Sequence, residues 1–309
     1  MFEEARAMFI YCVSPVHMGA GTALGVIDNP IQRERHTGHP TMAGSGLKGA
    51  FRHHLSAAWS KEETWRVFGP DAADSAEHAG ALSLSDAQLV AFPVRSAKGA
   101  FVYAASPTTL ARAARLLAAA GIRDAQWQIP AVAEGSCRLV NRQLTVGDKI
   151  ALESFEFTSV EEPGLKTISA WLAAHALPDG LAYGFFREKI KNDLVLLSDE
   201  DFGHFVRNAT VVEPHVRIND VSGTAEEGGL FYTENLPPES ILLSLVMASK
   251  CRGKGEHSAA DIMELFARGK SDSDKTGIDG ALVQVGGDAT TGRGHVVLTI
   301  AGGGSHAQS

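Results

Sequence analysis

The chain has 309 residues, 44% of them hydrophobic and 21% charged, a composition typical of a globular protein with a substantial core. Its net charge of −8 with histidine neutral argues against broad, unspecific affinity for nucleic acid but leaves room for a local basic groove. The three cysteines fit no metal-ligand spacing, and no apolar run reaches the length of a membrane span. The acidic N-terminus does not resemble a signal peptide, so we expect a cytoplasmic protein that contacts no membrane.

Strands and helices alternate in the first part of the chain. Short apolar or alternating runs predict strands, whereas longer runs with capping residues predict helices. The predicted elements are a strand over 8–13, helices over 47–59 and 62–68, a strand over 80–87, a β-pair over 88–95 and 99–104, and a helix over 107–120 capped by Ser106. This βαββα order predicts an α+β fold with a ferredoxin-like (RRM-like) core. The aromatic signature with which RRM domains stack bases on the sheet is missing.

The order of elements becomes irregular from residue 126 to about 210. We interpret that stretch as an insertion into the core rather than an independent domain. The remaining predicted elements are a strand over 150–159, helices over 165–175 and 198–206, strands over 212–220 and 229–233 joined by a polar hairpin, a strand over 241–248, a helix over 259–267, and strands over 281–285 and 295–300. Polar residues 71–80 predict a surface loop, and the small residues 301–309 predict a frayed tail.

A long connection separates the first predicted strand from the first predicted helix. Residues 14–38 combine glycines, prolines, two histidines, a lone aspartate and a basic run, with no apolar periodicity. A loop of this length is either functional or disordered, and its prolines and clustered polar groups favour a function.

The start of the following helix has features of a phosphate site. Gly44, Ser45 and Gly46 begin the helix, and Lys48 and Arg52 lie four residues apart on one of its faces. Unpaired N–H groups and the helix dipole attract phosphate, and glycines let it approach the backbone. The Gly-Lys-Ser/Thr ending of a nucleotide-binding P-loop is absent. The alternative is an ordinary capped helix with a solvated lysine and arginine.

Five motifs, spread in order over nearly the whole chain, carry a resemblance to a known family. They occupy residues 28–38, 44–49, 82–87 together with 92–96, 230–239 and the glycine-rich 284–294. Together they resemble the RAMP superfamily of CRISPR proteins, and more closely the Cas7-type backbone subunits of type III-B (Cmr) effector complexes. The resemblance implies a single RAMP domain over 1–309, with its core mainly in 6–124 and 240–302. The region 125–239 would then be an insertion that includes a projecting β-hairpin thumb.

The resemblance implies that Asp28 is the family's loop aspartate, needed to cleave target RNA. A single carboxylate can hold a divalent ion, Mg²⁺ or Mn²⁺, near a scissile phosphate if RNA and water supply the other ligands. The alternative for Asp28, in an Asp-Asn-Pro sequence, is an ordinary turn residue. His17 is a second catalytic candidate because histidine can act as acid or base near neutral pH, although a histidine satisfied by the backbone is the alternative. By the same resemblance, Tyr232 and Glu234 approach the cleaved nucleotide.

The predicted partners are crRNA, complementary target RNA, other copies of the chain in a head-to-tail filament, and other Cmr subunits. Candidate RNA contacts combine positive charge with glycine-rich backbone. They are Arg33, Arg35, Gly44, Ser45, Gly46, Lys48, Arg52, Gly286, Gly287 and Arg293.

Three other functions stay open at this point. The chain could be a crRNA-binding scaffold without catalytic activity. It could instead process precursor crRNA with histidine-based chemistry, which metal chelation would not stop. From the residues alone, without the ordered motifs, it could also be an anion-binding α/β enzyme.

Overall fold

The structure is a computed structural model that describes residues 2–22, 25–71, 77–253, 255–270 and 276–302. Half of the predicted surface loop (72–76) and most of the predicted tail (303–309) lie outside these ranges. The elements in chain order are β1 (Glu4–Cys12), β2 (Thr41–Met42), α1 (Gly44–Ser56), α2 (Lys61–Phe68), β3 (Leu82–Leu84), β4 (Ala87–Arg95), β5 (Phe101–Ala105), α3 (Pro107–Ala119), β6 (Ser136–Leu139), β7 (Lys149–Leu152), β8 (Phe155–Glu161), α4 (Pro163–His175), α5 (Leu181–Asp193), β9 (Leu194–Leu197), α6 (Asp199–Asn208), β10 (Val211–Ile218), β11 (Ala225–Asn235), β12 (Ile241–Ala248), α7 (Ala259–Arg268), β13 (Leu282–Gln284) and β14 (His295–Ala301).

One large, mostly antiparallel sheet runs through the structure. Its strands follow the order β13-β14-β1-β12-β4-β5-β9-β6-β8-β7, with β2 on β4 and β3 on β12. Of the strand pairs described, β5 with β9 and β6 with β8 are parallel. Near the centre, Tyr11 of β1 lies opposite Ile241 of β12 on one side and Val297 of β14 on the other. The prediction of a mixed α+β fold is therefore confirmed.

The burial of strand β1 on both faces explains why its sequence is a continuous apolar run. Its last six residues are buried because helices and loops cover both faces of the sheet. Met8, Ile10 and Cys12 point into a core formed with α1, α6 and α7. Phe9 and Tyr11 point into a second core formed with α3, α4 and α5. Successive residues of one strand thus anchor two separate helical layers.

Two predictions in the inserted region were wrong or incomplete. The strand predicted over 150–159 is a pair of antiparallel strands, β7 and β8, that reverses between Leu152 and Phe155. The reversal places Glu153 at a φ of 51°, a left-handed conformation that no glycine, proline or asparagine signals in the sequence. Helix α5 and strands β6 and β9 were not predicted. β9 pairs with β5 of the predicted core, so the large sheet continues into this region.

Strands β10 and β11 form a separate two-stranded hairpin, as the sequence predicts. Strand β11 is longer than predicted, β10 is shifted by one or two residues toward the N-terminus, and the connection is shorter, spanning 219–224. At the base of the hairpin, Asn29 bridges Thr233 and Val16 bridges Leu236. The long loop after β1 is thereby attached to the hairpin.

The connection from β11 to β12 holds Glu239 in a half-buried, left-handed conformation with a φ of 69°. Its carboxylate lies 3.5 Å from the Tyr103 hydroxyl, and burial raises the pKa of Glu239 to about 7. The carboxyl therefore takes up a proton on folding between the unfolded pKa of 4.5 and the folded value of about 7. Its contribution to stability falls as the pH rises through that window.

We expect Glu239→Gln to stabilise the protein at pH 8 by about 1–2 kcal/mol, a value reduced for the partial exposure of the carboxyl. At pH 4 the gain should be nearly absent, because the carboxyl is then mostly protonated in both states. Denaturant unfolding at the two pH values measures the difference, with Glu227→Gln on the exposed hairpin as the matched control. An equal effect of Glu239→Gln at both pH values would contradict the assignment.

In the described part of the chain, no helix combines the length and apolar character needed to span a membrane.

Candidate functional site

The long loop after β1 lies along one edge of β11. The Tyr232 N–H donates to Oδ2 of Asp28 at 2.7 Å, and the Tyr232 carbonyl accepts from the Asn29 N–H at 3.0 Å. The Glu234 N–H donates to the Asn29 carbonyl at 3.0 Å. Because N–H and C=O groups of residues two apart in a strand point to the same edge, Tyr232 and Glu234 together form this attachment. The Asp28 carboxylate is half-buried and held at the base of the hairpin.

His17 is anchored to the same edge of β11. Its Nδ1 lies 2.7 Å from the Glu234 carbonyl oxygen. Since a carbonyl can only accept, the neutral ring carries its proton on Nδ1 and presents the lone pair of Nε2. Glycines surround the residue: a Cβ on Gly19 would lie 2.9 Å from Nε2, and one on Gly286 would collide with the His17 carbonyl oxygen. The structure thus brings His17 and Asp28 to one strand edge.

The environment of Glu234 does not match the contact with the cleaved nucleotide that was predicted for it. The residue is only 3% exposed, and its carboxylate accepts three hydrogen bonds. The donors are the Arg33 guanidinium at 2.5 Å, the Thr210 hydroxyl at 2.8 Å and the Ile31 N–H at 3.1 Å. This arrangement makes Glu234 an internal anchor of the loop rather than a group available to a ligand. The Tyr232 side chain is half-buried, and its contact with RNA stays a prediction.

The basic residues of the loop have different environments. The Arg33 side chain is 22% exposed and also donates to the carbonyls of Gly38 and Val206, both at 2.8 Å. Its guanidinium is therefore committed to internal contacts, in contrast to the predicted phosphate contact. Arg35 is exposed and can reach a ligand.

The first turn of α1 is partly occupied by side chains of the protein itself. The Gly44 N–H donates to the Asp86 carboxylate at 2.8 Å, and the preceding Ala43 N–H donates to the Gln32 side chain at 2.9 Å. A carboxylate thus already lies where a phosphate was predicted. Ser45 and Gly46 are exposed and are the positions of this turn that an RNA backbone can approach.

Lys48 and Arg52 were predicted to contact RNA, but in the structure both side chains make hydrogen bonds within the protein. The Lys48 ammonium donates to the Leu82 carbonyl at 3.0 Å, while burial, and after it the neighbouring Arg52 guanidinium, lowers the pKa of Lys48. Arg52 pairs with Asp71 at 2.5 Å and donates to the Gly69 carbonyl at 2.9 Å. Both side chains stabilise the contact between α1 and the segments beside it.

The glycine-rich C-terminal loop lies against the loop after β1. The Gly287 N–H donates to the His17 carbonyl at 2.9 Å, and Gly286 and Gly287 are exposed. Arg293 pairs with Glu213 of the hairpin. Three segments that are distant in sequence therefore meet around His17: the loop after β1, the hairpin and the glycine-rich loop.

Two contributors were missed by sequence reasoning. Asn29 supplies the backbone bridge to β11, and Gln32 ties the loop to α1 while also donating to the Gly19 carbonyl at 3.1 Å. Both lie inside the 28–38 motif, and Asn29 directly follows the aspartate. Their position was visible in the sequence, but polar residues beside a proline suggest only a turn.

The donor set for a metal ion is small. No cluster of three histidine, cysteine, aspartate or glutamate residues with metal-binding geometry occurs within the described ranges. Asp28 offers one carboxylate, and its Oδ2 accepts from Tyr232. These residues do not form a complete protein site for a resident metal.

Comparison with known proteins identifies the fold and the family. The RAMP superfamily matches residues 9–297. The CRISPR system Cmr endoribonuclease Cmr4 of Pyrococcus furiosus is 34% identical over 312 residues, which cover 99% of this chain and 100% of that protein. The crystal structure of oligomeric Cmr4 from Pyrococcus furiosus is similar with a TM-score of 0.72 and 28% identity, over 96% of this chain and 97% of that one.

A cryo-EM structure of the type III-B Cmr-beta complex bound to cognate target RNA contains a similar chain. The TM-score is 0.70 at 21% identity, over 97% of this chain and 98% of that one, a likeness that concerns the fold alone. The match over 9–297 and the full-length similarity to Cmr4 agree with the ordered motifs of the sequence. The chain belongs to the RAMP superfamily.

Proposed function

We propose that this chain is a backbone subunit of a type III-B CRISPR effector complex. It binds crRNA as part of a filament and cleaves complementary target RNA at regular intervals through the Asp28 loop. The full-length similarity to a protein named as a Cmr endoribonuclease supports the assignment. In guided effectors, base pairing selects the target, while the protein recognises the shape and the backbone of the duplex.

The attachment of Asp28 and His17 to one edge of β11 is the observation that carries this proposal. Oδ2 of Asp28 lies 2.7 Å from the Tyr232 nitrogen, and Nδ1 of His17 lies 2.7 Å from the Glu234 oxygen. A carboxylate and an imidazole are thus held at the base of a hairpin, beside the glycine-rich C-terminal loop. Such a pair is suited to cleavage of RNA by attack of a ribose 2′-OH on the adjacent phosphate.

The proposed roles follow from the hydrogen bonds. With Nδ1 donating to a carbonyl, His17 presents Nε2 as the atom that accepts the proton of the 2′-OH. The 2′-oxygen forms a bond to phosphorus as the P–O5′ bond breaks, which leaves a 2′,3′-cyclic phosphate, and the departing 5′-oxygen takes a proton from water. Asp28 is proposed to orient the reacting groups, and a cation must offset the repulsion between its carboxylate and the scissile phosphate. We propose that a divalent ion joins Asp28 only when RNA oxygens complete its coordination, which would help to balance charge on the phosphate.

The surface proposed to contact the crRNA consists of exposed backbone and one exposed arginine. Gly286 and Gly287 offer backbone next to His17, Ser45 and Gly46 offer it at the start of α1, and Arg35 supplies charge. The internally bound Arg33, Lys48, Arg52 and Arg293 hold these segments in place. Contacts to phosphate of this kind position an RNA without reading its sequence.

The proposed architecture also follows the family. The proposed ferredoxin-like core over 6–124 and 240–302 holds strands β1–β5 and β12–β14 with α1 and α3. The β10–β11 hairpin corresponds to the family's thumb within the 125–239 insertion, which also adds β6–β9 to the large sheet. Copies would associate head to tail, with other Cmr subunits completing the complex. We place the working complex in the cytoplasm, where transcripts are available as targets.

The test is target cleavage by a reconstituted complex that carries a defined crRNA. A labelled complementary RNA should yield regularly spaced products, whereas a non-complementary RNA should stay intact. Incubation of the isolated chain with precursor crRNA examines the processing alternative. Processing by the chain alone, without cleavage of target by the complex, would replace this proposal with a precursor-processing endoribonuclease. A complex that binds target but cuts neither RNA would identify a scaffold.

The role of His17 predicts an effect of Gly19→Ala. The added Cβ would lie 2.9 Å from Nε2 and obstruct the atom that accepts the proton. We expect target cleavage by the assembled complex to slow by about tenfold or more, with unchanged target affinity. Gly25→Ala is the matched control in the same loop, because a Cβ there meets no described atom within 4 Å. Equal cleavage rates for the two variants would remove His17 from the mechanism.

A further inference from the structure

The far end of the Asp28 loop is fixed by an ion pair that the proposed mechanism does not use. Arg112 of α3 binds the Glu34 carboxylate through both terminal nitrogens, with Nη1 at 2.7 Å from Oε2. The Nε of Arg112 donates to the Gln88 side chain at 3.1 Å. The side chains are 15% and 11% exposed, so solvent screens the pair only weakly. A bidentate pair with this geometry fixes orientation as well as distance.

Glu34 is committed to the protein through several further bonds. Its carboxylate accepts from the Thr37 hydroxyl at 2.7 Å, and its N–H donates to the His39 carbonyl at 2.9 Å. Burial acts to raise the pKa of Glu34, but hydrogen bonds from Arg112 and Thr37 outweigh it and hold the pKa below its usual value. The carboxylate is therefore ionised and paired at neutral pH.

The successive residues Arg33 and Glu34 bind in different directions. Arg33 is bound to Glu234 of β11 and to the Val206 carbonyl of α6. Glu34 is bound to Arg112 of α3. The loop is thus fixed from two sides only a few residues after Asp28, and movement at one anchor is resisted by the other.

The helix that carries Arg112 is itself rigidly held. Its N-terminus has a reciprocal capping box between Ser106 and Thr109, and Leu110, Ala113 and Leu117 are buried. Asp199, at the start of α6, accepts from the backbone N–H and the hydroxyl of Thr108. Helices α3 and α6 are therefore tied to each other as well as to the loop.

We propose that Arg112 is a positioning residue for RNA cleavage, which acts through Glu34 to hold the Asp28 loop against β11. This inference rests on the proposed function of Asp28. Arg112 itself does not contact RNA, because all three of its nitrogens are bound inside the protein. A displacement of about 1 Å at reacting groups can slow a reaction by two orders of magnitude, so a distant anchor can have a large effect.

The test uses Arg112→Gln and Arg112→Lys in the assembled complex with crRNA. Both variants lose the bidentate pair, and the lysine keeps the positive charge. We expect the cleavage rate at saturating target to fall by about 10- to 100-fold for both, with KM and product positions unchanged. Arg115→Gln, an exposed arginine on the same helix, should cleave like wild type. If Arg112→Gln fails to assemble into the complex, Arg112→Lys tests the same loss of the bidentate pair.

Two further measurements distinguish a positioning role of Arg112 from a general effect on the stability of the fold. Glu34→Gln combined with Arg112→Gln should be no slower than either variant alone, because the two side chains act as one unit. Backbone amide exchange should become faster in residues 25–38 and stay unchanged in α3. Wild-type cleavage rates in assembled Arg112 variants, or unchanged exchange in the loop, would overturn the inference. If wild-type complex does not cleave target, the proposed function fails, while the exchange experiment still decides whether Arg112 orders the loop.

Discussion

Asp28→Asn is expected to reduce target cleavage by the assembled complex at least about 100-fold, the range typical of a lost general acid–base or charge-stabilising group. The substitution removes only the charge. An asparagine side-chain oxygen can still accept the Tyr232 N–H that lies 2.7 Å from Oδ2, so the loop should stay attached to β11. Complex assembly, crRNA content and target affinity should therefore match wild type. Cleavage rates under single-turnover conditions measure the effect.

The control for this prediction is Asp220→Asn, at the exposed connection of the hairpin. It removes the same charge from the same chain, away from Tyr232, and should leave the cleavage rate unchanged. EDTA should stop wild-type cleavage if a divalent ion joins Asp28 on bound RNA. Cleavage by Asp28→Asn at the wild-type rate would show that the reacting groups lie elsewhere, and His17 would be the next position to examine.

Glu234→Ala is expected to destabilise the fold by about 3–5 kcal/mol, the usual effect of removing one partner of a buried ion pair. The change leaves the Arg33 guanidinium without its counter-ion. It also leaves the Thr210 hydroxyl and the Ile31 N–H without the acceptor that they share. The loop and the hairpin base should loosen together. Denaturant unfolding of the isolated chain measures the free energy.

Glu226→Ala provides the matched comparison on the same hairpin. Glu226 pairs with Arg217 at 3.7 Å, and the Arg217 side chain is well exposed. Loss of such a surface pair costs at most about 1 kcal/mol. Similar losses for the two variants would mean that Glu234 is not the anchor inferred from its contacts.

Much of the fold could be predicted because local signals agreed with tertiary packing. Strand β12 has its observed bounds in the prediction, since its apolar run is buried on both faces of the sheet. The start of helix α3 was predicted from Ser106 as the N-cap and Pro107 as the first helical residue. Helix α5 did not, because Leu181 and Phe185 are exposed and blur the apolar face that identifies a helix. The β7–β8 reversal was missed because Glu153 adopts a left-handed conformation, which glycine and asparagine favour and glutamate does not signal.

The contacts among the predicted site residues could not be predicted from the sequence. Asp28 and Tyr232 are 204 residues apart, and only the folded chain shows that a backbone N–H joins them. Arg33 and Arg35 look alike in the sequence, yet one is bound to buried Glu234 and the other is exposed. Burial and pairing depend on distant segments, so charge alone could not separate anchors from ligand contacts.

The central claim is that each copy of the chain cuts the target once, with its own Asp28 loop. It is tested most directly in complexes assembled from known mixtures of wild-type and Asp28→Asn chains, with product ends mapped to the nucleotide. We predict that cleavage at every position falls in proportion to the fraction of wild-type chain, while the spacing of the products stays the same. Cleavage that is confined to one position, or that is independent of the mixture, would contradict the claim.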